Sequence, residues 1–223
     1  MKGKDTIGQE NLKYFYVSRN LPHMFDIGKP VFITYRLKLT LPAAVMKELN
    51  QRKTEWFNSN QKLDVKSRKQ RIEHRERTFF DWYDRLIAQS SETPQIQHQR
   101  EITDIITESF RYFDSQHYTL MAYCVMPNHV HVLIHPLVQE SGEIYSCAHI
   151  TYTWKRYSAN QINRVLKRSG SLWQQESYDH LVRDETELSQ ILEYIIQNPV
   201  KAGLVNKWDE WYGTWVQDNL KPQ

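Results

Sequence analysis

Residues 118–135 read YTLMAYCVMPNHVHVLIH. Two alternating runs, Tyr118 to Met126 and His129 to His135, flank the turn signal Met126-Pro127-Asn128. Alternation around β-branched and aromatic side chains predicts a strand in each run, and the short break between them predicts a hairpin. A period of two then assigns the faces. His129, His131 and His135 project from one side of the second strand, Val130 and Val132 from the other.

Working outward, VFITYRLKL from Val31 to Leu39 is a third alternating run. Before the hairpin, Ile102, Ile105, Ile106, Phe110 and Phe113 recur at spacings of three and four, which predicts an amphipathic helix over about 95–113 opened by Thr93-Pro94. After it, Ser146 to Lys167 carries Ile150, Tyr157, Ile162 and Leu166 on a polar, basic background, as suits a helix lying on a sheet. Ser171 to Val182 includes an extended piece. The segment DETELSQILEYIIQ, from Asp184 to Gln197, places Leu188, Ile191, Leu192 and Ile195 at helical spacing, with acidic residues in the first turn where the helix dipole favours them. This order predicts an α+β fold: a ferredoxin-like or RRM-like antiparallel sheet with helices on one face. Lys47 to Phe80 reads as an inserted helical segment, and Ser90 to Pro94 as a loop. The expected organisation is a single domain over 1–223, with a helical excursion at about 47–93 and a C-terminal tail from about 206.

Composition limits the alternatives. The 223 residues are 40% hydrophobic and 25% charged, with seven Trp and 13 Tyr to build a core, which excludes a chain disordered throughout. Cys124 and Cys147 are too few for a disulfide framework or a four-cysteine zinc site, so a reducing compartment is expected. No run approaches the roughly 20 apolar residues that span a bilayer, and the opening MKGKDTIGQENLKYF has no apolar leader run, so a cytoplasmic protein is expected. Net charge is only +3, but it is unevenly spread. Lys47 to Arg77 holds ten basic and five acidic residues, and Thr151 to Gly170 holds Lys155, Arg156, Arg164, Lys167 and Arg168 with no acid. Both are candidate phosphate-facing surfaces, or else solvated helix faces.

Two short patterns carry chemistry. Imidazoles two apart on one strand face can lean onto one cation at roughly 2.0–2.2 Å each; His135, beyond Leu133, is poorly placed to be a third ligand. Histidines so spaced can also merely pack or hydrogen-bond. In YIIQNPVKAGLV, Tyr194 and Asn198 are four apart and share a helix face. Tyr194 is a candidate nucleophile and the Asn198 carboxamide a candidate ligand; a core aromatic and a helix cap are the plainer readings. Pro199 pushes the residue before it away from helical angles, which predicts Asn198 at the helix terminus. Tyr178 is a weaker candidate nucleophile, lacking an Asn at ligand spacing.

Together, MPNHVHVLI and YIIQNPVKAGLV resemble the HUH single-tyrosine transposases, and among them the REP-associated tyrosine transposases. The similarity runs from about Val31 to Val205, and Lys47 to Thr93 is its least characteristic part. The resemblance implies that His129 and His131 bind a divalent ion, Mg²⁺ or Mn²⁺, with Asn198 as third ligand, and that Tyr194 is catalytic. It implies cleavage and strand transfer of single-stranded DNA by transesterification through a 5′-phosphotyrosine, on DNA folded into REP-like hairpins. Lys155, Arg156, Arg164, Lys167 and Arg168 are the candidate DNA contacts, and Trp154 and Tyr157 candidate stacking residues. Monomer and homodimer both stay open. So do three other readings: a rolling-circle initiator, a non-catalytic single-stranded nucleic-acid-binding module, and a structural zinc protein.

Overall fold

The hairpin forms where its sequence places it. The computed structural model describes residues 17–18, 22–23, 28–38, 51, 99–142, 144–175 and 177–222. In chain order these give β1 (Val17–Ser18), β2 (Pro22–His23), β3 (Val31–Arg36), α1 (Arg100–Arg111), β4 (Tyr118–Val125), β5 (His129–Pro136), α2 (Cys147–Val165), β6 (Tyr178–Leu181), α3 (Glu185–Lys201) and β7 (Thr214–Val216), with short 3₁₀ turns at Trp208–Glu210 and Asp218–Leu220. By contacts the chain divides into two units, residues 1–38 with 95–223, and residues 39–94. Apart from Gln51, the second unit lies outside the described residues, and with it the expected excursion at 47–93, the basic run of 47–77 and the Thr93-Pro94 helix start.

Among the described residues β1 pairs with β2, and the remaining strands form one antiparallel sheet in the order β6-β3-β5-β4-β7. The fold is therefore α+β around an antiparallel sheet. Register assigns its two faces. Thr34 stands opposite His131, and Arg36 opposite His129, while Ile33 faces Val132 and Tyr35 faces Val130. On β4, Cys124 is opposite His131 and Tyr123 opposite Val132.

The valine face is covered by α1 and α2. Phe110 of α1 meets Tyr123 and Trp154 at ring-centroid distances of 5.5 and 5.1 Å, and Trp154 of α2 meets Tyr118 at 5.3 Å. Trp154 donates its indole N–H to the Tyr118 hydroxyl at 2.8 Å, and that hydroxyl donates to Phe110 O at 2.6 Å. Burial raises the Tyr118 pKa, an effect the Trp154 hydrogen bond only partly offsets, so this phenol stays protonated. Ser146 caps α2 by accepting from His149 N–H at 3.4 Å.

Helices on one face is what the pattern predicts, and α1 and α2 obey it. α3 adds a layer on the other face, where Tyr194 packs against Phe32 and His131. β3 and all of β5 except His135 are consequently buried, His129 and His131 included.

Two expectations change. Asn198 is not at the helix terminus: α3 continues through Pro199 to Lys201. A proline there removes one helical N–H late in the last turns, and the bonds Ala202 N–H to Asn198 O and Leu204 N–H to Pro199 O keep the end closed. The segment from about 206 is also more than a tail, since β7 joins the sheet beside β4 and Trp211 Nε1 donates to Val125 O at 2.9 Å. The close approach requires glycine at 213, whose added Cβ would lie 2.7 Å from Val125 O and 2.8 Å from Trp211 Nε1. Gly213→Ala should lower stability by about 1–3 kcal/mol, measured as a fall in Tm without loss of secondary structure.

Candidate active site

The site begins with the turn that joins β4 to β5. Met126 N–H donates to His129 O at 2.9 Å, and Leu37 N–H donates to Asn128 O at 2.9 Å, fixing the turn against the end of β3. Asn128 is thereby buried with its side chain beside the first histidine. Its Oδ1 accepts a hydrogen bond from His129 Nδ1–H at 2.5 Å. Thr34 Oγ1 lies 2.8 Å from His131 Nδ1. With both Nδ1 atoms engaged on their far sides, both Nε2 atoms turn toward one point and stand 3.0 Å apart.

That separation is chemically informative. Two imidazole nitrogens bound to one cation at roughly 2.1 Å and about 90° are about 3.0 Å apart. A hydroxyl can donate or accept. When Thr34 donates to His131 Nδ1, His131 Nε2–H can bond His129 Nε2; when Thr34 accepts, both Nε2 lone pairs face the shared point. The donor set therefore fits a divalent ion and also stays hydrogen-bonded without one. His129 and His131 are 1% and 0% exposed. Among the described residues no third His, Cys, Asp or Glu completes a metal cluster, His135 included.

α3 brings in the phenol. Asp184 caps this helix through Glu187 N–H at 2.8 Å, and Glu185 and Glu187 sit in its first turn. Tyr194 is half-buried, with its ring edge-on to His131 at 5.3 Å and to Phe32 at 6.0 Å. Lys201, two turns on, holds its Nζ 5.9 Å from the Tyr194 ring centroid, within cation–π reach. Asn198 is buried one turn beyond Tyr194, and its Nδ2 donates to Tyr194 O at 3.3 Å. Tyr178 lies opposite Thr34 on β6, one strand further from His131.

The sheet register also exposes a residue that the motifs miss. Arg36 stands opposite His129 on the histidine face, is 4% exposed, and donates Nε–H to Gln174 Oε1 at 2.9 Å. Only knowledge of the β3–β5 pairing could have revealed it, as with Thr34.

The family described as "Transposase IS200 like" matches residues 85–198, a span that holds the hairpin, both histidines and Tyr194 and ends at Asn198. The chain belongs to the IS200-like transposase family. It is 30% identical over 128 residues to a Haemophilus influenzae protein described as a REP-associated tyrosine transposase, covering 52% of this chain and 72% of that one. A second, uncharacterised Haemophilus influenzae protein is 29% identical over 114 residues, covering 44% of this chain and 56% of that one. A solved structure of a REP-associated tyrosine transposase bound to a REP hairpin aligns over 96% of this chain and 95% of that chain, with 12% identity and a TM-score of 0.47.

The basic residues of this transposase divide by what they touch. Arg156, Arg164, Lys167 and Arg168 are exposed along or just beyond α2. Lys155 instead donates to the carbonyls of Gln174 and Gln175 at 3.1 and 3.2 Å and lies over the Tyr35 ring, so its charge holds a loop. Trp154 is no stacking platform: it is 1% exposed and fills the valine-face core. Tyr157 bonds Glu108 through its hydroxyl at 2.8 Å. Tyr152, four residues before Arg156, is 58% exposed, and nothing in its sequence pattern marks it, because one exposed aromatic breaks no periodicity.

Lys167 ends α2 at φ +49°, a left-handed conformation that glycine adopts freely and other residues adopt at a cost of roughly 1–2 kcal/mol. A side chain retained there invites a test of its use. Lys167→Gly should leave Tm equal or higher and weaken DNA binding; titration of a labelled oligonucleotide at several salt concentrations checks this, with a shallower salt slope as the mark of a lost phosphate contact.

Proposed function

We propose that this transposase cleaves and rejoins single-stranded DNA with Tyr194 as nucleophile, on hairpins of the REP type. The observation that carries the proposal is the contact of the Tyr194 ring with His131, whose Nε2 meets that of His129. The REP-type substrate is supported by the 30% identical relative and by the NPV motif at Asn198, Pro199 and Val200.

Chemistry follows from the residues. A phenol of pKa about 10 is a weak nucleophile at neutral pH. Packing against Phe32 and His131 limits the directions in which the oxygen can reach. Attack forms a bond from Tyr194 Oη to phosphorus and breaks the bond from phosphorus to O3′. The phenol proton leaves to solvent, and O3′ departs as a hydroxyl after taking a proton. The product is a 5′-phosphotyrosine that keeps the phosphodiester energy, so a 3′-hydroxyl, the original or another, can displace Tyr194. His129, His131 and the Asn198 carboxamide would hold a divalent ion, Mg²⁺ or Mn²⁺, which when bound offsets charge on the phosphate oxygens. Thr34 and Asn128 orient the two imidazoles for that task. The exposed stripe of Arg156, Arg164, Lys167 and Arg168 would take the hairpin backbone.

The test is incubation with Mn²⁺ or Mg²⁺ and hairpin oligonucleotides bearing unpaired flanks. A covalent protein-DNA adduct should form, and digestion should map it to Tyr194. Tyr194→Phe should abolish it while binding the same hairpin; an undiminished adduct in that variant would refute the assignment. Thr34→Val should weaken Mn²⁺ binding by roughly 10–100-fold, read by calorimetric titration, with the fold intact.

A further inference from the structure

We infer that Glu187 is a positioning residue, whose buried carboxylate latches the tyrosine helix to strand β6 and thereby sets where Tyr194 falls on the histidine face. The inference rests on the reading of Tyr194 as nucleophile and adds what holds it there.

Glu187 is 3% exposed and His180 7% exposed. The Glu187 carboxylate receives His180 Nε2 at 3.1 Å through Oε1 and the Arg183 backbone N–H at 2.9 Å through Oε2, with Arg183 Nη1 3.7 Å from Oε1. The strand, the connecting turn and the first turn of α3 thus meet at one carboxylate. A carboxylate is rarely buried unless it is paired in this way, and once paired it is costly to displace.

Its position along the helix matters. Glu187 and Tyr194 are seven residues apart, two turns, so they share a helix face with an axial separation of about 10.5 Å. Beneath them His180 is the register partner of Phe32, which is itself opposite Leu133 on β5, the same-face neighbour of His131. Those two strand steps span about 9.6 Å. The helix rise and the sheet spacing match, so fixing Glu187 over β6 delivers the Tyr194 ring above Phe32 and His131, as observed. A slip of one residue at the latch would turn the phenol about 100° away from the histidines.

The test uses the full chain and two readouts. Single-turnover adduct formation is measured against hairpin concentration for Glu187→Ala, Glu187→Gln, His180→Ala and His180→Gln, with Glu193→Gln on the exposed side of the same helix as control. Glu187→Ala should slow adduct formation at saturating hairpin by about 100-fold, with half-saturation changed less than about twofold. Glu187→Gln, which keeps the shape and one acceptor, should lose less, and His180→Gln should recover part of what His180→Ala loses. Hydrogen exchange should show lost protection confined to residues 185–201. Wild-type rates in Glu187→Ala would overturn the latch, as would rate, binding and melting temperature falling together. If the unaltered protein forms no adduct at Tyr194, the functional reading fails, and exchange alone judges the latch: unchanged protection of α3 in Glu187→Ala refutes it.

Discussion

Two ring nitrogens 3.0 Å apart, each ring held from behind by an oxygen, are the constraint on which the rest of this molecule turns. Each holding oxygen comes from a different place. Asn128 belongs to the turn that ends one strand, and Thr34 to the neighbouring strand, so the pair exists only when β3, β4 and β5 are all in register. A shift of one residue in β3 would move Thr34 to the valine face and bring a hydrophobic side chain behind His131. The chemistry of the site and the pairing of the sheet are thus one requirement.

Covering such a site takes a second layer. Exposed imidazoles on an open sheet face would be hydrated and poorly aligned, whereas here α1 and α2 cover the valine face and α3 the histidine face. The division of labour follows from what each helix carries. α1 and α2 bring Phe110 and Trp154 to fill volume. α3 brings one phenol, one amide and one ammonium on successive turns, anchored at its acidic end by a buried carboxylate.

Much of this was legible in the sequence, because it depends on local period. Alternation located the hairpin and β3, spacings of three and four located the helices, and the HVH and Tyr-Ile-Ile-Gln-Asn patterns pointed to the residues that structure brings together at His131 and Tyr194. Contacts made across the sheet were not legible. Thr34, Arg36 and Glu187 look ordinary in their own segments and gain meaning only from partners 97, 138 and seven residues away. β7 is three residues long, too short to show a period, and its place is set by Trp211 and Gly213 against Val125. Trp154 misled for a similar reason: a basic, aromatic helix suggests a nucleic-acid surface, yet this side chain faces inward toward Tyr118, while its neighbour Lys155 bonds the Gln174 loop.

Tyr194 meets His131 within a single chain, so the active site proposed above would be built by one chain alone. The most direct measurement mixes two inactive variants, Tyr194→Phe and His131→Ala, in equal amounts with a labelled hairpin and divalent ion, and looks for covalent adduct beside the unaltered protein. Adduct is expected from the unaltered protein and from neither variant nor their mixture. Adduct restored in the mixture would mean that the tyrosine of one chain works on the histidines of another, and would contradict it.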